Sequence, residues 1–417
     1  MSGRDVHKAV QAVWRIESAR LTAALARFTR DVGLAEELAQ EALVAALEQW
    51  PKTGVPDNPA AWLTAAAKRR AIDLFRRRQM VQRKHEALAR EIETEHMPDL
   101  DTALDDDIGD DLLRLIFTAC HPVLSPEAQA ALTLRMVGGL TTDEIARAFL
   151  VPEPTMAQRI VRAKRALAEA RVPFETPRGE ERKERLGAVL AVLYLIFNEG
   201  YSATAGDAWL RKELIDDALR LGRMLAELAP DEPEVHGLVA LMELQASRSW
   251  ARTGPDGAPI LLLDQNRALW DRILIRRGLV ALERAEKLGG GSGPYALQAA
   301  IAACHASALR AEDTDWPRIA ALYAALARIA PSPIVELNRA VALSMAFGPQ
   351  AGLDLVDQLV GEAALRTYHL LPAVRGDLLA RLGRHDEARA EFTRAAALTR
   401  NDRERALLLA RAQESQP

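Results

Sequence analysis

Apolar residues along this chain recur at helical spacing, in short blocks separated by turn residues. Leu21, Ala24, Leu25 and Phe28 share one helix face, and after Gly33 so do Leu34, Leu38, Ala42, Ala45 and Leu47. Pro51, Gly54, Pro56 and Pro59 then mark a loop, and AAWLTAAAKRRAIDLFRRR reads as a third helix. A second helical cluster runs from Asp111 to about Arg171. DLLRLIFTAC ends before HPVLSP, and Ser125-Pro126-Glu127 gives the next helix its N-cap, first-turn proline and early acid. VGGL breaks that helix, TTDEIARAFL begins with a threonine cap, VPEP turns the chain, and TMAQRIVRAKRAL follows as a helix starting at Thr155. Beyond VPFETPRGE, a proline-marked domain boundary, residues 181–417 repeat helical blocks broken at DEPE, RTGPDGAP, GGGSGP, PSP and FGPQ. No window alternates as a half-buried strand does, so the expected fold is all-α.

Composition changes little in this picture. The chain has 417 residues, 49% hydrophobic and 27% charged, with aromatics at only 5%. Recurrent Ala, Leu, Arg and Glu favour helix because they lose little rotamer freedom there. The two cysteines, Cys120 and Cys304, exclude a disulfide framework and are expected as buried core thiols of a reducing, cytoplasmic protein. Each is followed by His, but no further CxxC or HxxxH element completes a zinc set. MSGRDVHKAV lacks an apolar signal core, and AVLAVLYLIF (188–197) is too short for a membrane span and is expected as a buried helix.

Charge matters more in its order than in its sum of −4. Lys68, Arg69, Arg70, Arg76, Arg77, Arg78, Arg83 and Lys84 face a single acid, Asp73. The stretch from Glu86 to Asp111 is acidic, and Arg159 to Arg171 is basic again. The pair TTDEIARAFL and TMAQRIVRAKRAL reads as a DNA-binding helix-turn-helix. Ile145, Ala146, Met156, Ile160 and Val161 are expected to pack it. Gln158, Arg159, Arg162, Lys164 and Arg165 would offer base-edge and phosphate donors, and the backbone N–H groups at Thr155 a phosphate contact. Trp62 heads a cationic helix, a combination suited to single-stranded nucleic acid, although a basic helix with a core tryptophan would look the same.

Together these segments resemble an extracytoplasmic-function sigma factor of bacterial RNA polymerase, within the sigma-70 superfamily. AEELAQEALVAAL resembles the clamp-binding motif, with Glu36, Glu37, Gln40 and Glu41 on its polar side. NPAAWLTAAAKRRAIDLFRRR resembles the −10 motif, with Trp62, Leu63, Asp73, Arg76 and Arg77 at matching positions. LTTDEIARAFLVPEPTMAQRIVRAKRAL resembles the −35 motif, with Glu144, Ile145, Ala146, Thr155, Arg159, Arg162 and Ala163 matching. The resemblance implies sigma region 2 over residues 1–90, an acidic linker over 91–108 and sigma region 4 over 109–173. It further implies core RNA polymerase and promoter DNA, −35 duplex and −10 single strand, as partners, with no cofactor, metal or catalysis. Lys68, Arg69, Arg70 and Arg78 join the −10 set by their place on the same basic helix. Two departures stand out: Arg69 where the family often has Asn, and Leu150 where the turn usually has Gly. The acidic linker is expected to run through the polymerase's basic RNA-exit region.

Residues 181–417 resemble the long tetratricopeptide-like extension of one subgroup of these factors. Gly376, Leu379, Gly383, Ala388, Phe392 and Ala395 occupy the small and aromatic positions of one such helix pair. Polar residues interrupt otherwise apolar helices at Asn198, Glu199, Tyr201, Asp264, Gln265, Arg267, Tyr295, Gln298, His305, Asp315, Trp316, Asn338 and Arg339. They fit either a groove for a peptide or small molecule or buried hydrogen bonds that fix helix registry. Nothing in their spacing builds an active site. The expected function is an alternative sigma factor whose C-terminal domain modulates it. A stand-alone helix-turn-helix regulator with a tetratricopeptide-like sensor is the alternative, and an all-helical scaffold a third.

Overall fold

The structure, a computed structural model, describes residues 3–86, 108–149, 151–201, 212–254, 260–399 and 402–414. Among these residues the regular secondary structure is helical, with no strand. The expected linker over 91–108 and the turn residue Leu150 lie outside the described residues, apart from Ile108. The chain divides into two compact units, residues 1–193 and 194–417.

The first unit begins with α1 (Gly3–Thr29), α2 (Val32–Thr53) and α3 (Pro59–Glu86). Arg30 takes a left-handed φ of 52°, and Asp31 caps α2 by accepting from the Leu34 N–H at 3.0 Å. Ala35, Ala39, Ala42 and Ala46 are fully buried, so α1 and α2 approach closely along a seam of small side chains. Leu38 and Ala45 lie in that core as expected, whereas Leu34 and Leu47 are only partly buried. Pro51 sits inside the last turn of α2 rather than in a loop. That helix stops at Gly54, whose N–H bonds the Trp50 carbonyl.

Four helices follow: α4 (Ile108–Ala119), α5 (Pro126–Met136), α6 (Thr142–Ala148) and α7 (Glu153–Glu169). Ser125 caps α5 with Pro126 in its first turn, as read from sequence. The VGGL break closes tightly: a Cβ on Gly138 would stand 2.4 Å from the Leu134 carbonyl oxygen, and Gly139 has a φ of 71°. Thr141 and Glu144 form a reciprocal capping box, each side chain bonding the other's backbone N–H at 3.2 and 2.7 Å. Helix α7 starts at Glu153, two residues before the expected Thr155.

Helix α8 (Gly179–Tyr201) follows VPFETPRGE, and the compact division of the chain falls within it, after Leu193. Residues 179–193 belong to the first unit, where Leu186, Val189 and Leu190 are buried. Arg185, 6% exposed, donates to the Phe117 carbonyl at 2.9 Å and lies 5.7 Å over that ring.

The second unit continues through α9 (Lys212–Leu228), α10 (Pro233–Ala246), α11 (Arg272–Lys287), α12 (Pro294–Ser307), α13 (Trp316–Ile329) and α14 (Pro333–Phe347). It ends with α15 (Pro349–Leu359), α16 (Leu370–Arg381), α17 (His385–Leu398) and α18 (Asp402–Glu414). Successive helices pack as pairs over short turns. Glu234 on α10 accepts from the Tyr295 and Ala296 N–H groups at 2.8 and 3.2 Å, supplying α12 with an N-terminal acceptor from another helix. The α16–α17 pair closes around Phe392, 1% exposed, against which a Cβ on Gly376 would stand at 3.1 Å. No helix among the described residues is long and apolar enough to cross a membrane.

Candidate polymerase and promoter interface

The residues expected to touch the polymerase lie on α2. Glu37 and Glu41 are exposed and Gln40 is half-buried. Glu36 differs from the expectation that it lines the polar side, because it is only 4% exposed. Its Oε1 accepts from Arg135 Nε on α5 at 2.9 Å and its Oε2 from Lys164 Nζ on α7 at 2.5 Å. Position 36 turns toward the helix-turn-helix, and a carboxylate removed from water there needs cations beside it. Lys164, expected to meet DNA, is spent in the same triad. Gly33 lies beside the Lys164 stem, where a Cβ would stand in ordinary contact at 3.6 Å. Asp111 joins α4 to α1 in a similar way, 3.2 Å from Arg27 Nε.

On α3, Trp62 is half-buried and meets the fully buried Trp50 edge-on, with ring centroids 5.4 Å apart at 71°. Its indole therefore belongs partly to the core, with one part exposed. Arg69, Asp73 and Arg76 are exposed, and Lys68 is half-buried. Arg70 is partly buried, with Nε 3.5 Å from Glu41, which links the expected clamp and −10 sets. The side chains of Arg77 and Arg78 lie outside the described residues.

The helix-turn-helix packs through Ile145, Ala146, Met156, Ile160, Ala163 and Leu167, all at most 5% exposed. Val161, expected in that seam, is 62% exposed. Positions 156, 160, 163 and 167 form one helical stripe, and 161 lies a residue off it. Gln158, Arg162 and Arg165 are exposed and Arg159 is half-buried, so four of the expected donors remain on accessible faces. Arg165 is held by Glu169, 2.6 Å away and one turn on. The expected phosphate contact at Thr155 is not available as drawn from sequence. Its N–H already donates to the Pro152 carbonyl at 3.0 Å, because the helix begins earlier, and Pro154 has no N–H to offer.

The two cysteines are buried. Burial pushes the Cys120 thiol up to about 12, against a hydroxyl of Thr133 at 3.3 Å.

In the second unit a cavity of about 590 Å³ gathers Asn198, Gln298, His305 and Asn338 from the expected groove. It also draws in Tyr194, Gln245, Arg248, Tyr323 and Tyr368, which sequence reasoning had not singled out as site residues. Tyr194 lies one turn before Asn198 and Tyr323 two turns after Trp316, whereas Gln245, Arg248 and Tyr368 have no expected site residue near them in sequence. The remaining expected residues do not line it. Asp315 caps α13 through the Arg318 N–H, Trp316 begins that helix, and Arg339 pairs with Glu336 at 2.8 Å. Arg267, 5% exposed, donates to the His305 and Ala308 carbonyls and the Thr314 hydroxyl. Gln265 bonds the Ile260 carbonyl, Tyr201 stacks on Phe197, the Tyr295 N–H serves the α10–α12 contact, and Asp264 is exposed. Glu199 is half-buried and outside the lining. Of these side chains, Arg267 bonds across elements, while those of Gln265, Asp315 and Arg339 bond locally.

Comparison with known proteins places names on this arrangement. Residues 15–80 match sigma-70 region 2, residues 114–167 match sigma-70 region 4, and residues 185–286 match a family of unknown function, DUF6596. "Uncharacterized protein R00370" of Rhizobium meliloti (strain 1021) is 47% identical over 390 residues, covering 92% of this chain and 90% of that protein. Sigma-70 regions 2 and 4 imply binding to core RNA polymerase and promoter DNA. With region 2 carried by α1 to α3 and region 4 by α4 to α7, in that order on one chain, the protein belongs to the sigma-70 family.

Proposed function

We propose that the chain is an alternative sigma factor of the extracytoplasmic-function type, which lends core RNA polymerase a promoter specificity and catalyses nothing itself. The observation that carries this reading is the juxtaposition of α2 and α3. An acidic edge, exposed at Glu37 and Glu41 with Gln40 half-buried between them, adjoins a basic helix headed by a part-exposed tryptophan. A regulator that only grips duplex DNA has no use for that pair. Glu37, Gln40 and Glu41 would dock on the polymerase clamp. Trp62, Lys68, Arg69, Arg70, Asp73 and Arg76, with Arg77 and Arg78, would face the −10 strand. Gln158, Arg159, Arg162 and Arg165 would read the −35 duplex, with Thr155 at its edge.

The Glu36–Arg135–Lys164 triad makes the described form of the first unit a closed one. Glu36 and Lys164 would then reach the polymerase and DNA only after parting from each other. The helix pairs of the second unit, of which α16–α17 has the small-against-aromatic contact of a tetratricopeptide unit, would modulate that step as a cytoplasmic sensor. In vitro transcription with core polymerase tests the main reading: initiation at specific promoters only when the protein is added is expected, and its absence would defeat it. Binding of duplex promoter DNA without any effect on polymerase would favour the stand-alone regulator instead.

A further inference from the structure

The cavity in the second unit has a feature that helix registry does not explain. Arg248 lines it, and among the described residues no acceptor bonds its guanidinium. Its two contacts are ring faces, Tyr201 at 5.9 Å and Trp270 at 5.8 Å from the guanidinium carbon. The neighbouring cations are committed elsewhere: Arg267 to carbonyl oxygens and a hydroxyl, and Arg252 to the Tyr201 carbonyl and the Tyr201 ring at 3.7 Å. A second group with an open hydrogen-bonding atom sits in the same wall, its ring edge-on to Trp316 at 5.1 Å. His305 is 8% exposed, and its Nδ1 has no hydrogen-bond partner. Burial, then Arg248 and Arg267, hold its pKa down at about 3, so the ring is neutral and adds no charge to Arg248 at ordinary pH.

We propose that this cavity binds a small organic acid, its carboxylate held by the Arg248 fork and its body seated among Tyr194, Tyr323 and Tyr368. A planar guanidinium already flanked by rings is preorganised to take a carboxylate in two parallel bonds. The volume of about 590 Å³ lies within the range that encloses a small-molecule ligand. The amides of Asn198, Gln298 and Asn338 and the imidazole of His305 would meet neutral polar groups on the same molecule. Among the described residues of the lining, one free cation among amides and phenols suits a single negative charge; a phosphate would call for more than one open guanidinium. The site stands apart from the sigma reading, since it is defined entirely within the second unit and is tested without polymerase.

The test uses the full chain and matched probes: benzoate, phenylacetate and indole-3-acetate, each against its primary amide, with inorganic phosphate as the other anion. Thermal unfolding and saturation-transfer NMR report binding at millimolar concentrations. At least one carboxylate should raise the unfolding midpoint where its amide does not, and Arg248→Gln should weaken that binding about ten- to hundredfold. Arg248→Lys should retain only part of it, because the fork is lost while the charge remains. Asn338 is exposed at the rim, so Asn338→Ala leaves the fold intact and should weaken the same probe several-fold. Equal responses to acids and amides, no response to any acid, a preference for phosphate, or unchanged binding by both Arg248→Gln and Asn338→Ala overturns the proposal.

Discussion

Two buried charged or ionisable side chains behave differently, and each gives a measurable consequence. Glu36 is nearly enclosed but satisfied on both oxygens by Arg135 and Lys164. Arg135 belongs to neither expected contact set, so Arg135→Gln loosens the triad without touching polymerase or DNA. Core-polymerase binding by Arg135→Gln should tighten several-fold over the parent, measured by fluorescence anisotropy without DNA. An unchanged affinity would sink the closed-form reading and leave the sigma assignment standing. His305 is enclosed and unpaired on Nδ1. Its folded pKa of about 3 lies below the unfolded value of 6.5, so below pH 6.5 the unfolded chain takes up a proton that the folded chain refuses. Stability supplied by the neutral ring is full above pH 6.5 and is lost as pH falls toward 3. Relative to His305→Gln, the parent should lose about 2 kcal/mol between pH 7 and pH 5 in denaturant unfolding. Parallel stability curves for the two proteins would contradict this.

At the level of elements, α7 provides the sharpest contrast. Ile160 is 5% exposed and Val161 is 62% exposed, although they are neighbours. Ile160→Lys should unfold the helix-turn-helix, while Val161→Lys should change thermal stability by less than about 0.5 kcal/mol. In the α16–α17 pair, Phe392→Ala should cost about 3–5 kcal/mol, read by chemical denaturation. The helix-turn-helix seam was readable at Ile145, Met156 and Ile160, because a stripe of large apolar residues declares its period. Val161 was misplaced because two adjacent β-branched residues both look like core until the stripe is phased. The alanine seam of α1 and α2 was hidden for a related reason: Ala35, Ala39 and Ala46 are too small to register as a hydrophobic face, yet smallness is what lets the helices close. Capping was legible at Ser125 and at the threonine that opens TTDEIARAFL, where chemistry is local; the return bond from Glu144 was not read. The start of α7 was not, because two prolines before Thr155 resemble a loop and equally suit a first helical turn. Arg135 and Arg248 left no local mark; what they do depends on partners far along the chain.

For the whole molecule, the compact boundary after Leu193 changes where the chain can be divided. A protein ending at residue 180 loses Arg185 from the Phe117 carbonyl, together with buried Leu186, Val189 and Leu190. It should melt more than about 5 °C below one ending at residue 193, by circular dichroism. Equal midpoints would show that residues 181–193 contribute nothing to the first unit. The proline-rich segment hid this because proline marks an interruption of helix and says nothing of what packs beyond it. Helix α7, the proposed recognition helix, carries a different kind of consequence, for how promoter preference could diversify. One of its faces carries Gln158, Arg162 and Arg165 in the open, while another hands Lys164 to Glu36. On the proposed reading, in which this face reads the −35 duplex, substitutions at 158, 162 or 165 would retarget the helix and leave its resting partner alone. A change at 164 would alter which promoters are chosen and how readily the protein becomes active in a single step. Descendants of this chain would therefore acquire new targets along one side of a single helix and new thresholds along the other.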